Sequence, residues 1–407
     1  MPIPRLRDYR GPALFSYGFR PFFLFGAFFA GTAVLVWLPF VYGDLVVESV
    51  FAPRDWHAHE MLFGFVPAIV TGFLLTAIPN WTGRLPLQGL PLLALFAIWL
   101  AGRLAIAFSM SLGWLIAAAV DVAFLVLVAA ATGREIVAGR NWGNLKVVGA
   151  VAVLAVANGL FHAEAHFHGA ADDAIRLGIA AILLLISVIG GRVVPSFTRN
   201  WLARQAPGRM PAPFGRFDGA TLGASALALT AWVILPFAAA TGLLLALAGV
   251  MQAARLCRWA GERTFSDRLV LILHVGYAFV PLGFLLTAAA ALGQIPASAG
   301  IHAWTAGAVG TMTLAVMTRA SLGHTGRALT ASAGTQAIYA AVVLGALARI
   351  CAGLHPAWSD PLLAFAGTVW AGAFLGFVVV YGGMLCRPRA HAARAEAARS
   401  AAATRAL

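Results

Sequence analysis

Apolar runs of about twenty residues, broken by short polar or Gly/Pro-containing stretches, follow one another from residue 20 to residue 385. A window of about 20 residues, the length that crosses a hydrocarbon core of about 30 Å, marks roughly twelve spans. They lie near 20–42, 57–79, 88–109, 112–132, 146–166, 174–195, 219–237, 240–257, 268–292, 301–319, 335–354 and 361–385. The pattern predicts an all-α polytopic membrane bundle: one transmembrane domain over 1–386, then a basic Ala/Arg tail at 387–407. The basic N-terminus leads into the first span with no small-residue cleavage site, which argues against a removed signal peptide.

Composition agrees. Hydrophobic residues make up 61% of the 407 and charged residues 11%, against about 25% charged in soluble domains. The net charge of +13 does not indicate nucleic acid, because the basic residues sit in short loops between apolar runs. The 192–218 loop carries five arginines and 255–268 four. The opposite side and its adjoining membrane third hold only Arg54, Arg103, Arg176 and Arg349, beside acids such as Asp44, Asp55, Asp172 and Asp173. By the positive-inside rule both termini are cytoplasmic. Cys257, Cys351 and Cys386 are scattered and suggest neither a disulfide framework nor a thiolate metal site.

Three segments share features at four-span intervals. Span two runs from His57-Ala58 to Thr82-Gly83-Arg84, span ten from His302-Ala303 to Thr325-Gly326-Arg327, and span six ends in Pro195-Ser196-Phe197-Thr198-Arg199. Such spacing suggests three four-helix units about a pseudo-threefold axis.

Seven of the ten histidines fall on the outer side. His57 and His59 open span two and, two residues apart on a helix, point about 200° apart toward different neighbours. His162 and His166 are four apart in span five and share a helix face, half of a metal site that another helix would complete. His302 opens span ten at the same depth, and a pair of imidazoles from separate helices suits a haem iron. A single interfacial histidine is usually an amphipathic boundary residue; His168 and His355 are read that way, but six or more imidazoles in one layer favour metal or haem. His274, inside span nine near the other face, is a candidate for a haem or a quinone headgroup, with a packing hydrogen bond as the alternative. His324 is read as a loop surface residue, and His391 belongs to the tail.

Arg54, Arg103, Arg176 and Arg349 are the cations at the histidine layer, suited to haem propionates unless nearby acids take them. Asp121, inside span four, is read as a proton relay or a helix-packing group. Glu60 and Glu164 lie beside the histidines and are candidate catalytic proton donors.

The stretches WHAHEMLFGFVPAIVTGFLLTAIPNWTGR, GGRVVPSFTRNWL and SYGFRPFFLFGA resemble the NnrS family over essentially the whole chain. That family comprises multi-spanning bacterial inner-membrane proteins containing haem and copper, associated with denitrification and tolerance of nitric oxide. The resemblance implies haem (b-type), with copper or non-haem iron, and nitric oxide as ligand. The arrangement is also similar to that of haem-copper oxidases and nitric oxide reductases, whose second and tenth helices bear haem ligands, although spans six and seven here hold no histidine. The expected activity is quinol-dependent reduction of nitric oxide. His302 with His57 or His59 would hold haem, and the other imidazole with His162 and His166 would hold a second metal or haem. The alternatives are a non-enzymatic haem protein that binds or senses nitric oxide and, third, a secondary transporter. Expected partners are nitric oxide, quinol, the bilayer and a second copy in a homodimer, with no nucleic acid.

Overall fold

The structure is a computed structural model and describes residues 9–389, so His391 and most of the expected tail lie outside the described residues. Helices dominate and the described residues form no strand. In chain order they are α1 (Phe19–Tyr42), α2 (Pro53–Thr82), α3 (Leu90–Ala107), α4 (Trp114–Ala138), α5 (Leu145–His168), α6 (Asp172–Leu202), α7 (Arg216–Ile234), α8 (Ala239–Cys257), α9 (Arg268–Ala291), α10, α11 (Ala333–Leu354) and α12 (Ser359–Leu385). Helix α10 runs as Ala297–His302, a π turn over Ala303–Val309, and Gly310–His324.

Eleven of these helices are long and apolar enough to cross a membrane. Helix α10 is not, although it matches the tenth expected span, because Thr305, Thr311, Thr313, Thr318, Arg319 and Ser321 lower its hydropathy. Most of it is buried against other helices, including α9 and α11. A helix shielded from lipid by its neighbours has no need of an apolar surface.

The helices that carry His57/His59 and His302 each contain a π turn. In α2 it covers Glu60–Phe65, directly after His59; in α10 it begins directly after His302. Each offers a carbonyl to a tryptophan indole: Trp99 donates to the Gly64 carbonyl at 2.9 Å and Trp370 to that of Ala306 at 3.1 Å. Interrupted helical turns of this kind are frequent at functional sites.

The first and last helices meet at one end of the bundle. The Arg20 guanidinium, buried in the opening turn of α1, donates to the carbonyls of Leu385 and Arg387, both at 2.7 Å. A helix leaves its last carbonyls without internal partners and carries negative dipole charge there, so one arginine supplies both needs and closes the bundle. The SYGFR entry thus acts first as a structural clasp.

Candidate metal centre

Four helices converge on Asp121 at the bundle end opposite the Arg20 clasp. His59 is the last residue before the π turn of α2 and Glu60 opens that turn. Arg103 comes from the final turns of α3, Asp121 from the second turn of α4, and Asn158 and His162, one turn apart, from α5. All six are at most 6% exposed. Close approach depends on small residues: a Cβ on Gly102 would lie 3.1 Å from Asp121 Oδ1, and one on Gly64 would lie 2.4 Å from an Arg103 nitrogen.

Asp121 divides its two oxygens. Oδ1 accepts from Arg103, whose guanidinium also donates to Glu60. Oδ2 lies 3.1 Å from His59 Nε2 and 3.2 Å from His162 Nε2, and accepts from Asn158 Nδ2 at 2.8 Å. Asn158 Oδ1 also lies 3.2 Å from His59 Nε2. Phe51 packs on both imidazoles at 5.1 and 5.4 Å, and Phe161 packs on His59 at 5.0 Å.

This donor set fits a metal ion. One donor atom each from His59, Asp121 and His162 lie within 4.8 Å of one another, all buried. With nitrogen and oxygen ligands at about 2.0–2.1 Å, a tetrahedral ion has ligand–ligand edges of about 3.3 Å. The two Nε2–Oδ2 separations, 3.1 and 3.2 Å, are of that size. The Nδ1 atoms of both histidines are buried with no hydrogen-bond partner among the described residues. Arg103 holds the far carboxylate oxygen and leaves one oxygen turned to the histidines.

His57, two residues earlier on α2, faces a different group. Its ring stacks on Trp37 at 4.2 Å, and it lies within electrostatic reach of His302 and Arg349. His302 donates from Nδ1 to the Ser298 carbonyl at 2.7 Å. That bond fixes the ring so that Nε2 keeps its lone pair, the arrangement usual for a metal-ligating imidazole. Arg349 has no ion pair or hydrogen bond among the described residues.

The remaining expected residues lie elsewhere. His166 does not join His162: it is exposed and stacks on Trp114 at 4.3 Å. The two share a helix face, but His166 is level with the first residue of α4, above the buried layer. Glu164 accepts from the backbone N–H of Asp173 at 3.1 Å and Ala174 at 3.2 Å, and therefore caps α6 instead of serving the cluster. Arg54 pairs with Asp55 and Asp172, and Arg176 with Asp173. His274 Nε2 donates to Thr198 Oγ1 at 2.8 Å, the packing alternative, since that hydroxyl itself donates to the Val194 carbonyl. His168 and His355 are exposed. His324, expected at the surface, is half-buried and stacks on Tyr17 at 5.7 Å.

Asn158 was not singled out in the sequence, although a polar residue one turn before His162 inside a span was the available signal. A second buried network lies outside the residues that the sequence pattern points to. Arg255 Nε donates to Asp218 Oδ1 at 3.0 Å, its Nη1 to Tyr277 Oη at 3.0 Å, and Tyr277 donates to Gln252 Oε1 at 2.8 Å. By sequence Arg255 belongs with the charges of the 255–268 loop; in the structure it ties α7, α8 and α9 together, with its main donors satisfied.

A search of curated proteins gave no match. The NnrS family model, described as NnrS protein, matches residues 13–389, so the chain belongs to the NnrS family.

Proposed function

We propose that this chain is a haem- and metal-containing membrane oxidoreductase that reduces or detoxifies nitric oxide with electrons from quinol. The observation that carries the reading is the buried His59–Asp121–His162 group; membership in the NnrS family supplies the association with nitric oxide. The group would hold copper or non-haem iron, which supplies one-electron chemistry and a binding position for a diatomic ligand. Burial behind Phe51 and Phe161 suits a small uncharged gas. Glu60, joined to Asp121 through Arg103, is the proposed proton donor.

Haem is assigned to His57 and His302 on facing helices, with Arg349 for a propionate. Of the four arginines considered, Arg54, Arg103 and Arg176 already have carboxylate partners, so Arg349 is the available cation. His162 belongs with the metal, whereas His166, His274 and Glu164 take no part.

Arg20 contacts carbonyls at the end of α12, so the first and last helices meet on one side, which requires an even number of crossings. Helix α10 supplies the twelfth, and the arginine-rich end is cytoplasmic by the positive-inside rule. The paired π turns of α2 and α10 support the repeat between spans two and ten.

Metal and haem analysis of the purified protein, followed by anaerobic nitric oxide consumption with a reduced quinol, tests the reading. Turnover that is lost in His59→Ala and His162→Ala is the expected result; absence of both metal and haem overturns it. Stoichiometric binding without turnover would support the second reading, a nitric oxide binding or sensing protein, which the near-complete burial of the group favours.

A further inference from the structure

One of the rings that cover the buried His59–Asp121–His162 group is not carried by a helix. Gly43, in the left-handed region at φ 83°, ends α1, and Pro53 begins α2; residues 44–52 between them form a non-helical strap. From Glu48 to Ala52 burial alternates, with Ser49 and Phe51 buried and Glu48, Val50 and Ala52 exposed, the two-residue period of extended chain. Phe51 packs on His59 at 5.1 Å and on His162 at 5.4 Å. The other phenylalanines on His59 among the described residues, Phe63 and Phe161, are held by α2 and α5. Phe51 is 5% exposed whereas Val50 beside it is 45% exposed, so the strap covers the imidazoles to a depth of one residue.

A directed chain of hydrogen bonds latches the strap. Ser109, buried just past the end of α3, donates from Oγ to the Ile106 carbonyl at 2.9 Å. The same oxygen is therefore left to accept from the Val50 N–H at 2.9 Å and from Ser49 Oγ at 3.3 Å. Ser49 Oγ in turn accepts from the Phe51 N–H at 3.3 Å, and the Met110 N–H donates to the Glu48 carbonyl at 3.1 Å. Ile106 follows Arg103 by less than one turn of α3, so the latch is anchored beside the guanidinium that holds Asp121. A segment with few buried contacts and a handful of hydrogen bonds opens at a smaller free-energy cost than the helices it crosses.

We propose that Phe51 and its strap form the gate to the buried group. Closed, the ring seals both imidazoles from water and ions; with the Ser109 latch broken, it swings out and admits a hydrated divalent cation. The cation rests on the metal reading of the proposed function, whereas the access route does not. Both histidines suit such a test of access, because their Nδ1 atoms have no hydrogen-bond partner among the described residues.

The first measurement is diethylpyrocarbonate labelling of the metal-free full chain in micelles, read residue by residue by mass spectrometry. In wild type His59 and His162 should label far more slowly than the exposed His166. Phe51→Ala should speed labelling at both, and Ser109→Ala, which removes two hydrogen bonds from the latch, should do so by about tenfold. Val50→Ala, on the outward side of the strap, should label as wild type does, and Phe51→Leu should restore most of the protection. Unchanged labelling in Phe51→Ala and Ser109→Ala would overturn the gate. So would an equal rise at His274, buried near the other end of the bundle, since that signals general loosening. The second measurement is copper uptake and its removal by EDTA, both expected to be faster in Phe51→Ala with affinity little changed. Bound copper that exchanges at wild-type rates would overturn the gate alone; no bound copper, with the labelling pattern as expected, would overturn the metal reading and leave the gate standing.

Discussion

Gly64 sits where the π turn of α2 passes the Glu60–Arg103 ion pair, and replacing it by alanine tests whether that crowding is real. The new Cβ would lie 2.4 Å from Arg103 Nη1, 2.6 Å from Glu60 Oε2 and 3.0 Å from the Phe29 ring. Both charged groups are already committed, and Arg103 also holds Asp121, so neither has an easy retreat. Overpacking a core costs about 1–3 kcal/mol, and separating a buried ion pair costs up to about 3–5 kcal/mol. Alanine returns at most about 1 kcal/mol of helix propensity. Partial displacement of the pair therefore gives a net loss of about 2–4 kcal/mol. Gly159→Ala is the matched control: it lies beside Asn158 on α5, and its Cβ meets nothing within 4 Å. Unfolding in mixed detergent–SDS micelles should show Gly64→Ala destabilised and Gly159→Ala unchanged or slightly stabilised. Metal content should fall in the first variant alone, because Arg103 can no longer hold Asp121. Wild-type stability and metal content in Gly64→Ala would refute the reasoning.

Asp121→Asn keeps the shape but removes the anionic donor, and metal affinity measured by competition with a chelator should drop at least about tenfold; an unchanged affinity would remove Asp121 from the site. His166→Ala should leave haem and metal content intact, and Glu164→Gln should cost about 0.5–1 kcal/mol of stability through the α6 cap with content likewise intact; loss of metal in either would restore them to the site. Arg20→Met keeps the side-chain stem but strands the end of α12, and should cost about 1.5–3 kcal/mol per charged hydrogen bond lost, read in the same micelle unfolding assay; a neutral result would mean the clasp carries no stability.

The membrane class and nearly all helix positions were legible because lipid exposure forces long apolar runs. Helix α10 is informative because its hydropathy is too low, yet the His302 start and Thr325-Gly326-Arg327 end located it. The π turns left no readable mark: EMLFGF and AWTAGAV are ordinary membrane-helix sequences, and the extra residue in each turn shows only in three dimensions. The opposed directions of His57 and His59 followed from helix geometry and hold. His162 and His166 show the limit of the same rule, since residues four apart share a face but nothing local says where neighbouring helices end. Asp121 and Arg103 were both visible as charges inside spans. Their pairing was not, because it joins α3 to α4 through a contact that periodicity does not encode, and Glu164 likewise spends its carboxylate on the α6 N-terminus, across a turn.

The charges at the two histidine groups are unbalanced in opposite senses. Glu60 and Asp121 surround one Arg103, so with neutral imidazoles the first group carries one net negative charge in a buried setting whenever Glu60 has given up its proton. The second has two imidazoles and Arg349, with no carboxylate partner for that arginine among the described residues. Isolated charge in a membrane protein is costly and persists where something compensates it. A cation held by His59, Asp121 and His162 would offset the first, and a carboxylate-bearing cofactor near His57 and His302 would offset the second. Two sites sharing only the short segment His57-Ala58-His59 thus call for ligands of opposite charge, which is the combination a metal ion and a haem with propionates provide. The same balance argues against a single centre spanning all five outer histidines, because one ligand cannot neutralise both.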